Sequence, residues 1–534
     1  MTAGGLAAGR GDGEERYMSK IKTIWLALLL SALVGIAGRA DDWPSYLGGN
    51  NSFSETSGIK LIDDMSQVRL LWSFEDKRMG FGKAVSSAAG GYAGGTGLAY
   101  GGESSLIVAG GLVIHFYLTP SGQTIWQRGD TVADEFKPFF KISADETVIA
   151  LDALTGAVRW KQVFADKGLN YVPGKRGGFA VTPCAADGRV FAYGTTARLY
   201  CLDLATGRVL WESAIEPMHT TLEKFKAEGL KNRNAKDPRG KGPYGMLQVV
   251  DGVLLAPNLV GVDAATGREL WRLQGVLSGF NAPAPVRVGS RTLIVCVNGK
   301  GEMRLVDPKT GNVFWTHPLG SEHLTQPVFG QEFLLAFESH PRFTGDLIGK
   351  SKSPNGIGIL AAYRLTEKGA EKVWSLPPEY AIGLFLDAGP ARKIVARDGL
   401  IYCPMRLGDG NTCPVGKEGD GKQMMLVVRE KDGKVLASAE GVGVHPYLWG
   451  DRLIVVNDIV HRPRKANPEI WRMFNADPAD FRPLGKPWHV NGDPPVHTAT
   501  GGYEVPVLEP FANGVFYCRV WGGIRAYDLR RPGN

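Results

Sequence analysis

The residues of this 534-residue chain that could do chemistry are few and scattered. One Asn-Asp pair, Asn457-Asp458, stands in the apolar run VVNDIV. Amide and carboxylate oxygens are ligands that Ca²⁺ accepts, so this pair is a candidate for calcium and cofactor binding. A turn at the end of a strand explains the same two residues, because Asn and Asp side chains stabilise turns. Both interpretations stay open.

A second set of candidates lies in four long polar segments, 217–244, 340–357, 404–423 and 461–469. Together they carry sixteen Lys and Arg against eight Asp and Glu, an excess that accounts for the whole formal charge of +7. They predict a basic surface for an anionic partner, such as an acidic glycan or a protein of the cell envelope. The alternative is that they are ordinary polar loops. The candidate ligand-face residues are His340, Arg342, His461, Arg462 and Arg464.

Other kinds of chemistry have no support in the sequence. There is no G-x-S-x-G and no H-E-x-x-H motif, so no catalytic residue is assigned. The nine histidines show no H-x-H or H-x-x-x-H spacing that would predict a metal site. The lysines are not interleaved with aromatic residues, as a groove for single-stranded nucleic acid requires, so we expect no nucleic-acid partner.

A repeated motif predicts the elements that must position these residues. Four stretches align without gaps: LDALTGAVRW from Leu151, LDLATGRVLW from Leu202, VDAATGRELW from Val262 and VDPKTGNVFW from Val306. In each, an apolar strand ends at Asp, Gly turns the chain, and a second strand carries a Trp that one unit cannot bury alone. The shared residues are Asp152, Gly156 and Trp160; Asp203, Gly207 and Trp211; Asp263, Gly267 and Trp271; and Asp307, Gly311 and Trp315.

Weaker copies of the motif begin at Tyr363, Arg429, Asn475 and Asp528. The last copy has no Trp strand of its own, so we expect the strand around Trp72 to complete it and close a ring. Two further strand signals precede each motif, and the 71 glycines suit a chain of short hairpins. The sequence therefore predicts an all-β fold, a single eight-bladed β-propeller of four-stranded antiparallel blades. Seven blades is the alternative if the Asn475 unit is a decorated loop.

The sequence predicts several N-terminal segments ahead of the propeller domain. We expect Met18 to be the true start, with residues 1–17 a mis-assigned extension before it. Residues 18–40 have the basic start, apolar run and small residues typical of a signal peptide, which we expect to be cleaved after Ala40. The apolar run, 24–38, is shorter than the ~20 residues of a membrane span, although an uncleaved anchor is the alternative. A lead-in, 41–64, precedes the propeller domain, 65–534, which carries a helical loop insertion at 217–244. We expect a periplasmic or extracellular protein.

The six cysteines contain no C-x-x-C pair. Cys403 and Cys413 could form a disulfide in an oxidising compartment. Cys296, Cys403 and Cys518 lie in strand-like runs, where a thiol serves equally well as a small apolar group.

The repeats resemble those of the PQQ-like β-propeller family, which includes quinoprotein alcohol dehydrogenases, BamB-like proteins and secreted planctomycete repeat proteins. The resemblance covers residues 65–531, and DDWPSYLGGN is similar to the family's W-P-x-x-R-G-P-N lead-in, with Leu47 and Gly49 in place of Arg and Pro. It implies, for the dehydrogenases, PQQ in the central funnel with calcium and a catalytic Asp. Their adjacent cysteine pair and C-x-x-C-H haem module are missing from this sequence.

The resemblance and the missing motifs lead to one preferred function and one alternative. We expect an exported, monomeric, non-catalytic binding or scaffold protein of the cell envelope, with no bound cofactor and no stable membrane span after signal cleavage. The alternative is a PQQ- and calcium-dependent oxidoreductase that acts on an alcohol or a sugar.

Overall fold

The structure is a computed structural model with two compact units, residues 1–39 and 40–534, and the elements below belong to the second. Within the described residues no helix is long and apolar enough to cross a membrane. The residues that the structure describes are 1, 42–49, 51, 53–55, 58–79, 104–124, 141–169, 181–215, 246–273, 282–297, 301–319, 326–339, 357–377, 380, 382–383, 394–407, 422–440, 445–457, 470–489, 510–520 and 522–532.

Two N-terminal strands come before the first blade, β1 (Ser54–Glu55) and β2 (Arg69–Glu75). Blade 1 contains β3 (Ile107–Ala109), β4 (Leu112–Thr124), β5 (Lys141–Asp152) and β6 (Val158–Leu169). Blade 2 contains β7 (Cys184–Ala186), β8 (Arg189–Tyr193), β9 (Arg198–Asp203) and β10 (Val209–Ala214). Blade 3 contains β11 (Gln248–Val250), β12 (Val253–Ala256), β13 (Val260–Asp263) and β14 (Glu269–Arg272). Blade 4 contains β15 (Ala284–Val288), β16 (Arg291–Val297), β17 (Glu302–Val306) and β18 (Val313–Pro318).

The second half of the ring repeats this order. Blade 5 contains β19 (Val328–Phe329), β20 (Leu334–Ser339), β21 (Ile357–Thr366) and β22 (Gly369–Ser375), with β23 (Ile382–Gly383) added to β21. Blade 6 contains β24 (Val395–Arg397), β25 (Leu400–Leu407), β26 (Lys422–Arg429) and β27 (Val435–Glu440). Blade 7 contains β28 (His445–Trp449), β29 (Arg452–Asn457), β30 (Ile470–Asn475) and β31 (Pro483–His489). Blade 8 begins with β32 (Phe511–Ala512), β33 (Val515–Val520) and β34 (Gly523–Asp528).

The eighth blade is completed by the other end of the chain. Strand β2 is its outermost strand and pairs antiparallel with β34, with Arg69 opposite Asp528 and Trp72 opposite Ala526. The ring of eight four-stranded blades is therefore confirmed. The seven-blade alternative is wrong, because the Asn475 unit is a complete blade of its own, blade 7.

The Asp-Thr-Gly turn is built by side-chain hydrogen bonds. The Asp152 carboxylate accepts the backbone N–H groups of Leu154 and Thr155 at 3.0 Å, together with the Thr155 hydroxyl. Gly156 then takes a φ of +72°, a left-handed value that side chains other than glycine adopt only with strain. The motif therefore specifies a tight turn between the third and fourth strands of a blade.

Each outer strand carries a bulge beside this turn. In all eight blades the register between the third and fourth strands shifts just before the position of the motif Trp. A bulge turns the side chain that follows it and twists the strand, which also makes an exposed edge a poor template for aggregation.

The bulge directs the Trp onto the turn of the next blade. Trp72 donates its indole N–H to the Ala153 carbonyl at 3.0 Å, and a Cβ on Gly156 would lie 2.7 Å from the indole ring. Only glycine leaves room for this ring, so the Gly of one blade and the Trp of the preceding blade are a matched pair. The same bond links Trp160 to Leu204, Trp211 to Ala264, Trp271 to Pro308, Trp315 to Thr366, and Trp374 to Glu430.

Blade 6 lacks the Trp and replaces its hydrogen bond. Ala437 stands at the Trp position, and the Tyr402 hydroxyl, from the second strand of blade 6, donates to the Ala476 carbonyl at 2.6 Å. Ala476 follows Asn475, so its carbonyl is the one that an indole would otherwise use. Burial raises the pKa of Tyr402 to about 12, which keeps the phenol protonated and able to donate.

A buried carboxyl group joins blades 1 and 2. Glu146 of β5 accepts the Thr195 N–H at 2.6 Å and the Tyr200 hydroxyl at 2.6 Å, and its side chain is fully buried. Burial raises the pKa of Glu146, although the hydrogen bonds from Tyr200 and Thr195 act in the opposite direction. The group is a structural contact between blades, because Thr195 and Tyr200 both belong to blade 2.

We predict that replacing a turn glycine that contacts an indole by alanine destabilises the protein more than replacing a turn glycine without such a contact. Gly207 and Gly188 lie in the same blade with φ of +70° and +71°, but a Cβ at Gly207 would lie 2.5 Å from Trp160, whereas one at Gly188 meets nothing within 4 Å. Both G207A and G188A carry the left-handed strain, so their difference isolates the contact with the indole. We expect G207A to lose about 1–3 kcal/mol more in the free energy of unfolding, measured by denaturant titration. Equal losses would contradict the docking pair.

We also predict a pH-dependent contribution from Glu146. A raised pKa means that the folded state binds the proton more tightly than the unfolded state, so this group stabilises the fold at low pH. That contribution is lost as pH rises from the unfolded pKa of about 4.3 through the raised folded pKa. The unfolding free energy of the wild type, measured across this range, should therefore fall relative to that of E146Q as pH rises. Parallel curves would contradict the assignment.

Candidate functional site

The propeller has two unlike faces. Because neighbouring strands of a blade are antiparallel, successive connections alternate between the two ends of the ring. The turn face holds the connections from first to second strand and from third to fourth strand, including the Asp-Thr-Gly turns. The loop face receives the connections from second to third strand and from one blade to the next. Between Arg69 and Asp528, every stretch outside the described residues connects strand ends at the loop face.

The residues predicted for ligand binding belong to such stretches. His340 and Arg342 fall between β20 and β21, and 461–464 fall between β29 and β30, so all five candidates lie outside the described residues. The predicted helical insertion at 217–244 and the residue Cys413 also lie entirely outside the described residues. The topology places these connections on the same face, but it brings no pair of these side chains into a described contact.

The predicted calcium pair is only partly described. Asn457 is the last residue of β29 and lies opposite Ile470, and Asp458 lies outside the described residues. No group of three or more His, Cys, Asp or Glu side chains in the described part of the chain could hold a metal ion. The site that is fully described lies elsewhere, on the axis of the ring.

The described residues of 42–55, which are 42–49, 51 and 53–55 and which we call the axial segment, bond to the free edges of innermost strands. Trp43 and Val108 of β3 exchange both backbone hydrogen bonds at 2.9 Å, and the Pro44 carbonyl accepts the Ala185 N–H of β7 at 2.8 Å. An innermost strand pairs with its blade on one side only, so these bonds satisfy the edge that faces the axis.

The far end of the axial segment reaches other blades. Strand β1 pairs parallel to β28 of blade 7, with Ser54 opposite Leu448, and the Leu448 N–H donates to the Phe53 carbonyl at 3.4 Å. The Asn51 side chain accepts the Gln248 amide of blade 3 at 3.0 Å. The segment therefore bonds to the innermost strands of blades 1, 2, 3 and 7, and it crosses the axial channel rather than following one wall.

Two glycines let the axial segment fold back on itself. Gly48 has a φ of +81°, and a Cβ on it would lie 3.0 Å from the Trp43 ring. A Cβ on Gly49 would lie 2.6 Å from the Asp42 carbonyl oxygen. The turn is closed by bonds from the Gly48 N–H to Ser45 and from the Phe53 N–H to Leu47, each 3.0 Å. The Gly-Gly step of the lead-in is thus required by a close approach of backbone and indole.

The axial segment is part of the core. Trp43 and Tyr46 are 1% exposed, and Leu47 and Phe53 are completely buried. Tyr46 meets Phe53 edge to face at 5.7 Å, and Trp43 lies 6.1 Å from the ring of Tyr447 in blade 7. Burial raises the pKa of Tyr46 well above its usual range, so the phenol stays neutral. The channel is filled by aromatic and aliphatic side chains.

A second part of the lead-in ties blades 7 and 8 together on the outside. The Ile62 N–H donates to the Leu529 carbonyl at 2.8 Å, which is the carbonyl that the Trp of blade 7 would use under the repeat. Trp488 of β31 packs instead against Tyr527, with ring centroids 4.9 Å apart.

Asp63 reinforces the same seam by bonding to Arg452 of blade 7 at 2.5 Å and to Arg531 after blade 8. Burial acts to raise the pKa of Asp63, but the two arginines outweigh it and lower that pKa.

The closing seam between blades 8 and 1 contains buried polar groups. Arg519 of β33 is completely buried and donates to the Met79 and Ser104 carbonyls at 3.3 Å. His115 of β4 is also completely buried, and its burial, together with the charge of Arg519, lowers its pKa well below the usual range. His115 is therefore a neutral imidazole in a protein seam, away from both faces' connections.

The described residues do not fit a quinone–calcium site in the channel. The free edges of three innermost strands are bonded to the axial segment, a fourth innermost strand contacts it through the Gln248 side chain, and the innermost strands are mainly apolar. An anionic polycarboxylate such as PQQ would need cations and calcium ligands at that position. The buried side chains of the axial segment, Trp43, Tyr46, Leu47 and Phe53, can supply neither a carboxylate ligand nor a positive charge. The carboxylate of Asp42 accepts the Gly110 N–H of blade 1 at 2.9 Å.

The cysteines in described strands can be compared with the prediction that they serve as small apolar groups. Cys184, Cys201 and Cys296 are buried in strands, and burial raises the pKa of each thiol. They pack as small apolar groups. Cys403 is buried in β25, and the predicted pairing with Cys413 stays a prediction.

The sequence of the lead-in contains a pattern from which the packed turn of the axial segment could have been predicted. W-P followed by Gly-Gly in the lead-in joins a residue without an N–H, a large ring and two residues free to approach backbone closely. Such a combination indicates a packed turn, not a linker. Its place inside the ring could not be inferred, because the segment has neither strand nor helix periodicity.

Comparison with known proteins agrees with the architecture. Residues 144–382 match the family model described as "Outer membrane protein assembly factor BamB". No curated protein is significantly similar to the chain in sequence.

Similar solved structures include two quinohemoprotein alcohol dehydrogenases. ADHIIG from Pseudomonas putida HK5 is 12% identical, with 92% of this chain and 80% of that chain covered and a TM-score of 0.47. The enzyme from Comamonas testosteroni is 13% identical, with 93% and 82% covered and a TM-score of 0.45. BamB from Moraxella catarrhalis is 14% identical, with 86% and 99% covered and a TM-score of 0.34. By its repeats and its ring of eight four-stranded blades the chain is an eight-bladed β-propeller, and the repeats within residues 144–382 are similar to those of the BamB family model.

Proposed function

We propose that this propeller is an exported, non-catalytic binding protein of the cell envelope that takes an anionic glycan or an acidic protein on its loop face. The observation that supports this most directly is the filled channel. Residues 42–55 occupy the axis where the quinoproteins of this family would need their cofactor. The surfaces left for a partner are then the perimeter and the two faces.

The turn face carries contacts that hold neighbouring blades together. Its Asp-Thr-Gly turns are short, and those of blades 1 to 4 receive a Trp from the blade before. Its charges are also paired locally, as in the bonds of Arg291 to Asp307 at 2.6 Å and of Arg530 to Asp528 at 2.7 Å. Because these residues are needed for the turns and for the contacts between blades, few positions on this face are free to form a binding site.

The loop face has that freedom. The connections on this side differ in length from blade to blade, and the ends of the strands that flank the residues of the four basic segments lie at this face. Some of these residues belong to strands, since β25 runs to Leu407 and β26 begins at Lys422. Clustered positive charge speeds the encounter with an acidic partner and orients it. Binding sites on rigid scaffolds are commonly formed by such connections.

The location of the protein is part of the proposal. It rests on the basic start, apolar run and small residues of 18–40, which are typical of a signal peptide. The molecule is proposed to act as a monomer in the periplasm or outside the cell.

We predict that charge reversal on the loop face weakens binding to an acidic polysaccharide. The probe is polygalacturonate, and the variant is R462E with R464E. Its matched control, R208E with R268E, reverses two exposed arginines at equivalent places in turn-face turns. We expect affinity about tenfold lower in the first variant only, with a shallower dependence on salt. Equal affinities of both variants, measured by calorimetry at several salt concentrations, would argue against the loop face.

We predict that PQQ and calcium do not stabilise the unaltered protein. A ligand present at a hundred times its Kd would add about 2.7 kcal/mol to the unfolding free energy, which is a clear rise in melting temperature. We expect no rise and no change in the quinone spectrum during anaerobic titration. A saturable rise that D458N abolishes would replace this proposal with the alternative, a quinoprotein oxidoreductase acting on an alcohol or sugar.

A further inference from the structure

We propose that the axial channel is a recognition site for an extended peptide, and that the axial segment, residues 42–55, is its resident ligand in cis. The ligand class is a peptide with an aromatic residue before proline, a Gly-Gly turn and a short strand. This inference goes beyond the loop-face function, because it rests on backbone contacts of the innermost strands.

The backbone bonds are those of strand addition. In this mode of peptide recognition, main-chain hydrogen bonds to an exposed strand edge give affinity, and pockets for side chains give specificity. The axial segment meets both β3 and β28 in this way, at Trp43–Val108 and at Ser54–Leu448. One pairing is antiparallel and the other parallel, as expected when one chain turns back between two walls of a ring.

The side chains give the site its specificity. Trp43 bonds through its backbone to blade 1, while its ring packs near Tyr447 of blade 7. It therefore bridges two blades that blade 8 separates. The Gly48-Gly49 turn fits only because these residues have no Cβ, and it presents Tyr46 and Phe53 to each other. A peptide without the indole or the glycines would not reproduce this packing.

Covalent attachment explains why the chain's own segment, and not a separate peptide, occupies the site. The segment continues into residues 59–64, whose bonds to blades 7 and 8 hold its C-terminal side close to the ring. A tethered ligand acts at an effective concentration in the millimolar range, so a peptide in trans binds only after the cis segment is weakened.

Hydrogen exchange of the full-length protein tests whether the segment is one ligand. Three amides on three blades, those of Val108, Ala185 and Leu448, donate to it. We expect them to exchange in the wild type with one shared opening constant. In W43A they should exchange together, about a hundredfold or more faster, while amides within the blades keep their rates.

Two further variants serve as checks on this result. G49V disturbs the turn through the Asp42 carbonyl and should release the same three amides. W315A removes a perimeter Trp between blades 4 and 5 and should not release them selectively. Three unrelated opening constants in the wild type would overturn the proposal, and this measurement needs no variant to fold.

Peptide addition tests recognition itself. The probe is the synthetic peptide DDWPSYLGGNNSFSETSG at millimolar concentration, with an analogue carrying Ala in place of Trp as control. With W43A or G49V we expect the native peptide alone to restore slow exchange of the three amides, and the wild type to be unaffected. Failure to restore it in both variants, or equal restoration by the analogue, would overturn the proposal. Binding of polygalacturonate to the loop face is a separate measurement, and its result does not depend on this one.

Discussion

The ring depends on one contact, an indole placed over a glycine in the next blade. The indole N–H satisfies the carbonyl after the motif Asp, and the ring lies against a glycine that has no Cβ to displace it. Each blade thereby buries an aromatic face that it could not bury alone, and it orients its neighbour in the same step. Six blades use the indole N–H for this bond, and a seventh, blade 6, uses a tyrosine hydroxyl from another strand.

That contact also decides where the ring is vulnerable. Among the described residues an indole lies over a glycine at five seams. The seam between blades 4 and 5 has only the indole hydrogen bond, and blade 6 uses Tyr402. Between blades 7 and 8 the described residues provide neither the glycine nor the indole bond, and Trp488 packs on Tyr527. The N-terminal chain repairs this seam, with Ile62 on the Leu529 carbonyl and Asp63 between two arginines. The same chain then supplies β2 to complete blade 8. The lead-in is therefore part of the closure of the propeller and not an appendage to it.

The repeat predicted most of the fold, including the eight blades and the pairing of Trp72 with the last strand, because one contact generates all of them. It could not predict Tyr402 as the substitute for the missing Trp, since the hydroxyl comes from a strand 35 residues before Ala437. Ion pairs such as Asp63 with Arg452 join residues far apart in sequence and leave no local pattern. The candidate ligand-face residues, His340, Arg342, His461, Arg462 and Arg464, were predicted from charge alone and lie outside the described residues, and charge predicts a surface without specifying its geometry.

The filled axis follows from the same geometry. Closing eight blades into a ring leaves the inner edges of eight short strands facing one another, with backbone groups that need partners and a space that packed cores do not leave empty. Water, a cofactor or protein can fill such a space, and the choice determines what the propeller can do. Here the occupant is the chain itself, with Trp43 and Phe53 in the core and four blades bonded to it. An apolar segment bonded to these strands stabilises the ring, and a partner that reached the same inner edges would have to displace it.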